Sequence, residues 1–507
     1  MISASDFCRL AEQGYNRVAL TAQAFADLET PLSLYLKLTG CTPFSFLLES
    51  VVGGERFGRY SFIGLPARTL LRASGFGADA KTEVVQDGVV IETDHGNPLD
   101  FIAAYQQRFK VAVQPGLPRF CGGLAGYFGY DAVRHMEKKL QITCPRDEQG
   151  TPDILLLQCE ELAVIDNLSG KLHLMVYADP TLAGAYDGAQ ARLTELKRLL
   201  EQPVHAPRTQ ASSAQPAVRD FPKADFMAAV ARAKELIAGG DFMQLVVGQR
   251  IKKPFTQSPL SLYRALRSLN PSPYMYYYNF SGACEAAADF HVVGASPEIL
   301  VRQEQATQDG APVQKVTIRP LAGTRPRGAT PEADKAAEVE LMHDPKERAE
   351  HVMLIDLARN DIGRISQVGS VKVTDAFSVE RYSHVMHIVS NVEGTLLPGL
   401  SSMDVLKATF PAGTLSGAPK VHAMELIDQL EPVKRGIYGG ACGYLSYAGD
   451  MDVAIAIRTG VLLNQVLHVQ AAAGVVADSV PELEWAETEA KARAILRAAE
   501  LVEEGLV

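Results

Sequence analysis

Residues 201–220, EQPVHAPRTQASSAQPAVRD, split the chain into two patterned regions, and any fold assigned to it has to accommodate that seam. The stretch is rich in Pro, Ala, Ser and Gln and poor in large apolar side chains. It cannot bury enough surface to form an element of its own, so it reads as a linker or long surface connection. The sequence therefore divides into 1–200, 201–220 and 221–507, with no internal repeat and no other low-complexity segment.

Before the seam the pattern is that of antiparallel strands. Residues 83–93 alternate around Gln86-Asp87-Gly88, and Asp-Gly between two such runs signals a hairpin. Residues 154–166 pair with 171–177 around a turn at 167–170, and 181–201 read as a helix. After the seam, Phe226, Val230, Ala233 and Ile237 recur at helical spacing over residues 224–238. Gly239-Gly240 ends that helix and a strand follows over 242–251. Strands and helices alternate without regular βαβ units, which points to an α+β fold.

At 507 residues the chain can bury a large core, in two to four domains or one unusually large one. The net charge of −10 offers no basic field to nucleic acid or anionic lipid, and a small anionic substrate would need local positive groups. The N-terminus has no basic region leading into an apolar stretch, so no signal peptide is expected. Residues 460–477, the most apolar long run, are interrupted by Asn464, Gln465, His468 and Gln470. That is too broken for a membrane span of about 20 residues. Seven scattered cysteines without a Cys-x-x-Cys pair fit free thiols in a reducing cytoplasm. The expectation is a cytoplasmic protein that binds neither nucleic acid nor membrane.

Two predicted helices carry paired carboxylates. Residues 346–360 put Glu347, Glu350 and Leu354 on one face, and residues 481–504 do the same for Glu484, Glu487 and Lys491. Carboxylates three residues apart repel, so each pair is either a solvated face or one side of a cation site. Glu347 and Glu350 lie beside the apolar run 352–358. An all-oxygen donor set suits Mg²⁺, which keeps several waters and takes one or two carboxylates. Arg458 ends the apolar run 453–457, where a guanidinium either reaches solvent or grips a carboxylate through two parallel hydrogen bonds. The small residues Ala471-Ala472-Ala473-Gly474 permit either tight packing or close approach of a ligand to backbone N–H groups. Residues 321–328 and 411–420 are glycine-rich turns or site loops, and the second lacks nucleotide P-loop spacing. His384 and His387 flank Val385-Met386 in a predicted strand, and no Ser/His/Asp or Cys/His set is recognisable.

Taken in order, these segments resemble the chorismate-utilising enzymes, and within them the anthranilate synthase large-subunit branch. The resemblance covers nearly the whole chain. After the seam it rests on GDFMQLVVGQR (240–250), GASPEIL (294–300), RPLAGTRPRG (319–328), EHVMLIDLARND (350–361) and VMHIVSNVEG (385–394). GTLSGAPK (413–420), GGACGY (439–444), AIAIR (454–458) and the last Glu-x-x-Glu helix extend it. Before the seam it rests on LLES (47–50) and GGLAGYFGYDAVRHME (122–137). It implies one large unit of two antiparallel sheets packed face to face with helices outside, regulatory before the linker and catalytic after it.

The resemblance also implies conversion of chorismate and ammonia to anthranilate and pyruvate, the first committed step of tryptophan biosynthesis. Mg²⁺ would be held by Glu350 and Glu487, supported through water by Glu347 and Glu484. Arg458, Tyr444 and the Ala472-Ala473-Gly474 backbone would hold the enolpyruvyl carboxylate, with Gly323, Thr324 and Lys491 lining the site. Glu298 would act as general acid on the departing 4-hydroxyl, and His387 would take the proton from ring carbon 2. Thr414 and Gln244 would complete the catalytic group. Gln244 stands where water-using relatives carry a lysine base, and Ala322 where aminodeoxychorismate and salicylate-type relatives carry lysine. Both favour the anthranilate branch over aminodeoxychorismate synthesis. Intact Glu298, Glu350, His387, Arg458 and Glu487 argue against a catalytically silent tryptophan sensor.

One departure is local: the family's Gln-Ala-Gly-Ala-Gly is here Gln470-Ala471-Ala472-Ala473-Gly474. Alanine at positive φ would be strained by about 1–2 kcal/mol, so an ordinary φ is expected at Ala472. The chain carries no amidotransferase nucleophile. Ammonia would come free or from a glutamine amidotransferase subunit (component II), in a heterotetramer of two large and two small subunits. Tryptophan would inhibit from a remote pocket made by Glu49, Ser50, Pro273, Tyr274 and Met275, a coupling that needs two global states.

Overall fold

The structure, a computed structural model, describes residues 2–51, 58–209, 211–212, 215–285, 287–308, 310–382 and 385–505. Its architecture follows from strands that are apolar on both faces. In Ile154–Cys159, Leu155, Leu157 and Cys159 pack into one core while Ile154 and Leu156 pack into another. In Glu161–Asp166, Leu162 and Val164 join the first of these cores, and Ala163 and Ile165 a third. Side chains alternate across a strand, so strands of this kind must be covered on both sides.

Two sheets packed face to face meet that demand. Between them lies a core rich in aromatics, including Phe46, Phe62, Phe120, Tyr127, Tyr276 and Tyr278. Helices Pro31–Thr39, Ala185–Leu200, Pro259–Leu269 and Pro481–Glu503 cover the outer face of one sheet. Pro98–Gln107, Ser402–Thr409 and part of Pro345–Gly363 cover the other. Among the described residues one sheet has thirteen strands and the other twelve. Their pairings are antiparallel except for Arg17 and Val18 against Val111 and Ala112. The expected architecture is therefore the observed one. No helix of the described residues is long and apolar enough to cross a membrane, and no disulfide is formed among the described residues.

Both sheets draw strands from either side of the 201–220 seam. Ser45–Glu49 pairs with Tyr274–Asn279, which sets Met275 opposite Glu49, and Gly123–Phe128 pairs with Ala441–Ser446. Inside the seam, Val218–Arg219 adds a short edge strand along Gln244–Pro254. The predicted hairpin forms from Lys81–Gln86 and Val89–Asp94. The run 154–166, expected as one strand, is two: the chain leaves one sheet at Glu160 and enters the other. The bend is invisible in the pattern because both halves are buried on both faces. The helix expected from residue 181 begins at Ala185, after Gly184 at φ +75°.

Two such crossings position the chemistry. The chain passes between sheets at residues 297–298 and again at 456–458. Phe290–Ser296 pairs with Thr459–Leu463 in one sheet, and Ile299–Gln308 pairs with Met451–Ile455 in the other. The crossings therefore run together, with the Arg458 carbonyl accepting from Ala295 N–H at 3.0 Å and the Glu298 carbonyl from Ile455 N–H at 3.0 Å.

Because the halves share both sheets, cutting the chain in the exposed stretch 201–206 should leave them joined. After limited proteolysis there, one particle of undiminished size is expected on gel filtration. Two separately eluting folded fragments would contradict the shared sheets.

Candidate active site

A buried ion pair frames the site. Arg435 Nη2 lies 2.6 Å from Glu431 Oε1 and Nε lies 2.9 Å from Oε2, with both side chains at most 2% exposed. The same guanidinium donates to the carbonyls of Leu415 at 2.6 Å and Val246 at 2.9 Å. Glu431 accepts from Gly248 N–H at 2.7 Å. The pair thus ties the turn Gly413–Leu415 to strand Gln244–Pro254. That strand pairs with Val466–Val475, placing Gly248 opposite Ala472 and Val246 opposite Gly474.

The run Ala471-Ala472-Ala473-Gly474 is accordingly a strand rather than a loop, and Ala472 has the ordinary φ that was expected. Gly474 leaves room for the Gln244 amide: a Cβ there would stand 2.9 Å from Gln244 Nε2. Lys491, on the C-terminal helix, donates to the Ala472 carbonyl at 2.9 Å and pairs with Glu487 at 2.7 Å.

At the paired crossings, Glu298 is buried, and burial pushes its carboxyl up to about 8. A hydrogen bond from Thr414 Oγ1 at 3.4 Å and the charges of Lys491 and Arg458 oppose the shift without cancelling it. Glu298 is thus mostly protonated at neutral pH, a state in which it can donate. Arg458 takes a left-handed backbone at φ +50°, which costs a non-glycine residue on the order of 1 kcal/mol. Burial lowers its pKa, while Tyr382 and Glu298 act the other way. Among the described residues no carboxylate lies within ion-pairing distance of its guanidinium. A half-buried cation without a carboxylate partner, beside a neutral acid, is a receptor for a carboxylate.

His387 lies on strand Val385–Thr395 with Nδ1 3.0 Å from the Gly323 carbonyl and 3.1 Å from Thr324 Oγ1. A carbonyl only accepts, so the proton is assigned to Nδ1 and the lone pair to Nε2. Nε2 is buried and has no hydrogen-bond partner among the described residues. Burial, reinforced by Arg458, pushes this imidazole down to about 4, so it is neutral and able to act as a base. Gly323 supplies its carbonyl from φ +66°, where the register of Leu321–Pro326 slips against the His387 strand. A Cβ at Gly323 would come within 3.0 Å of Leu341 and 3.2 Å of the Glu347 carboxylate. His384 lies outside the described residues.

The two carboxylate helices converge. Asp344 caps Pro345–Gly363, and buried His351 docks that helix on the His387 strand through Ser390 Oγ at 2.7 Å. Burial pushes Glu350 up, and the charges of Glu347 on its own helix and Glu487 on the other push it further. Glu484 is raised by burial too, with Glu487 adding to it despite a bond from Ser479. Glu347 is partly neutralised by Arg325 at 3.5 Å. Like charges facing each other across two helices are what a cation relieves. Among the described residues, however, no three His, Cys, Asp or Glu side chains gather closely enough to cage a metal. The donors fit a hydrated oxygen-preferring cation taking one carboxylate from each helix, and do not fit a dehydrated one.

A second cavity of about 430 Å³ brings together Glu49, Ser50, Pro273, Tyr274 and Met275. The Glu49 carboxylate is held there by Arg267 at 2.7 and 3.1 Å and by the Tyr263 hydroxyl. Ser50 Oγ is buried without a partner among the described residues. Tyr444 lines this cavity and not the Arg458 site. It stacks on Phe120 at 4.3 Å, among Asp452, Arg119 and Arg302. Its place is set by strand alternation within Ala441–Ser446, which turns Cys442 and Tyr444 into the core between the sheets. The tyrosine beside the Ala472 backbone and within the field of Glu487 is Tyr438, just ahead of Gly439-Gly440. Sequence reading missed it, and missed the Glu431–Arg435 pair, because neither lies on a periodic element.

Replacing one member of that pair strands a buried charge, which costs about 3–5 kcal/mol. Glu431→Gln should lower the urea unfolding midpoint sharply, and adding Arg435→Met should recover part of the loss. Equal, additive losses would show that the two side chains do not depend on each other.

The family model for chorismate binding enzymes matches residues 64–497. Anthranilate synthase component 1 of Neisseria meningitidis serogroup A is 56% identical over the whole of both chains. The protein of that name from Pseudomonas aeruginosa is 55% identical over 99% of each. The crystal structure of anthranilate synthase component I from Streptococcus pneumoniae superposes with a TM-score of 0.73 at 37% identity, covering 93% of this chain and 98% of that one. The chain belongs to the chorismate-binding enzymes and, within that family, to the anthranilate synthases of the component 1 type.

Proposed function

We propose that this site aminates chorismate with ammonia and expels pyruvate to give anthranilate, using Mg²⁺, under inhibition by tryptophan bound in the second cavity. The observation that carries the reading is the pairing of a protonated buried acid, Glu298, with a neutral buried base, His387, beside the uncompensated guanidinium of Arg458. Acid and base coexist there without exchanging a proton, as a reaction that needs both requires.

Chorismate is a dianion, so each carboxylate needs a positive partner. Arg458, Tyr438 and the strand at Ala472 are suited to the enolpyruvyl carboxylate. Glu350 and Glu487 would hold Mg²⁺, with Glu347 and Glu484 behind them, and the bound ion would offer positive charge to the ring carboxylate. Glu298 then gives its proton to the 4-hydroxyl, which leaves as water while ammonia adds at ring carbon 2. Thr414 orients that carboxyl. His387 Nε2 takes the proton from carbon 2. The electrons of the broken C–H bond complete the aromatic ring, and the enolpyruvyl group departs as pyruvate. Gln244 occupies its position as an amide with no basic group, consistent with a nucleophile that brings its own lone pair.

Ammonia would come from a glutamine amidotransferase subunit, in an assembly of two large and two small chains. The second cavity, with the buried acceptor Ser50 Oγ and an aromatic wall, suits an aromatic amino acid.

Incubation with chorismate, ammonium and Mg²⁺ should produce anthranilate fluorescence, and Glu350→Gln should abolish Mg²⁺-dependent turnover. An amine product that retains its enolpyruvyl group would point instead to aminodeoxychorismate synthesis, and full activity of the variant would refute the metal ligand. Since the acid works only while protonated, kcat should fall on the basic side with a midpoint near 8, as Glu298 ionises. A rate flat through pH 9.5 would exclude Glu298 as the acid. For the inhibitor pocket, Ser50→Phe should relieve tryptophan inhibition at least tenfold and leave the uninhibited rate unchanged. Unaltered inhibition would place the inhibitor elsewhere.

A further inference from the structure

His387 is restrained from one side. Nδ1 is bonded to Gly323 and Thr324, both on the strand Leu321–Pro326, whereas Nε2 has no partner among the described residues. An imidazole held through one nitrogen can swing about that contact, and misplacing a reacting group by about 1 Å costs up to about 100-fold in rate. The other restraint is aromatic. The ring of Tyr382 meets the imidazole edge-on, with centroids 5.5 Å apart and planes at 64°.

Tyr382 is itself anchored. Its hydroxyl donates to Glu380 Oε2 at 3.0 Å, and the other oxygen of Glu380 is paired with Arg319. Its carbonyl accepts from Arg327 at 2.7 Å. Glu298, Arg319, Glu380 and Tyr382 line one small cavity, and the phenol lies within the field of Arg458. A tyrosine that served only to fill space would have no need of an anchor three residues long.

We propose that Tyr382, fixed through Glu380 to Arg319, is a positioning residue that holds the His387 imidazole so that Nε2 faces ring carbon 2. The inference rests on His387 being the base of the second half of the reaction. It separates the two halves, because amination at carbon 2 does not use His387 whereas aromatisation does.

Tyr382→Ala should therefore lower kcat for anthranilate on the order of 10- to 100-fold and leave the KM for chorismate within about twofold. The aminated adduct that still carries its enolpyruvyl group should be released, detectable by mass spectrometry. Tyr382→Phe keeps the ring but loses the hydroxyl anchor and should fall between Tyr382→Ala and the parent, and Glu380→Gln, whose amide oxygen still accepts from the hydroxyl, should keep more of the rate than Tyr382→Phe. Thermal unfolding midpoints identify any variant that has simply lost its fold, and Tyr382→Phe and Glu380→Gln then carry the test. A full rate in Tyr382→Ala, a loss confined to KM, or a slow enzyme releasing no adduct would overturn the proposal. His387→Ala is the parallel arm. If it turns over normally, the reading of His387 as base fails. If it stalls at the adduct while folded Tyr382→Ala does not, the role of Tyr382 alone falls.

Discussion

The site depends first on a charge pair sealed from water. Taken alone, the Glu431–Arg435 ion pair is a poor source of stability, since desolvating two charges offsets most of their attraction. Its value is in what else it reaches. Three further hydrogen bonds of the pair go to backbone: Leu415, Val246 and Gly248. Those segments carry or face Thr414, Gln244 and Ala472-Ala473-Gly474. Shifting any of them would strand a buried donor or acceptor, and a penalty of roughly 1–3 kcal/mol for each such group fixes their register more firmly than apolar packing would.

Around that frame, one physical effect produces both acid and base. Burial disfavours the charged form of every ionisable group, which raises a carboxyl and lowers an imidazole. Glu298 and His387 are moved in opposite directions along the pH scale by the same cause, and so both are neutral at the same pH. Neither shift needs a dedicated partner. Arg458 differs: its intrinsic pKa is so high that burial leaves it charged, so it remains the strong positive centre of the crossing. On the carboxylate helices burial raises Glu350 as well, and repulsion from Glu347 and Glu487 adds to it.

How much of this was legible depended on whether a residue sat on a periodic element. The carboxylate helices were readable because Glu347 with Glu350, and Glu484 with Glu487, obey helical spacing inside long helix-favouring runs. The α+β class and the hairpin at Asp87-Gly88 were readable from alternation and turn chemistry. The breaks were not. Between residues 154 and 166 the chain changes sheets, and both sheets ask for the same apolar pattern, so nothing in the residues marks Glu160 as a corner. Tyr444 was drawn toward the wrong cavity for another reason. Its place in the site rested on the resemblance alone, and strand alternation, set by pairing with both Gly123–Phe128 and Met451–Ile455, decides which way it faces. Tyr438 stands outside that strand, where no periodicity could have singled it out.

A chain of hydrogen bonds runs from the wall of the second cavity to the segment that carries Arg458. Tyr276 lines the second cavity from strand Tyr274–Asn279, and its hydroxyl bonds Thr459 Oγ1 at 2.5 Å. Thr459 Oγ1 in turn donates to the Ile457 carbonyl at 2.9 Å. These two residues bracket Arg458, whose left-handed backbone is the least tolerant point of the segment. The closeness of Gly294 to the Tyr276 ring, where a Cβ would stand 2.1 Å from it, leaves that ring little freedom to move independently. The fold thus connects the cavity wall to the segment carrying Arg458 through one hydroxyl pair, and the same change of sheets that brings the two crossings together places that pair between them.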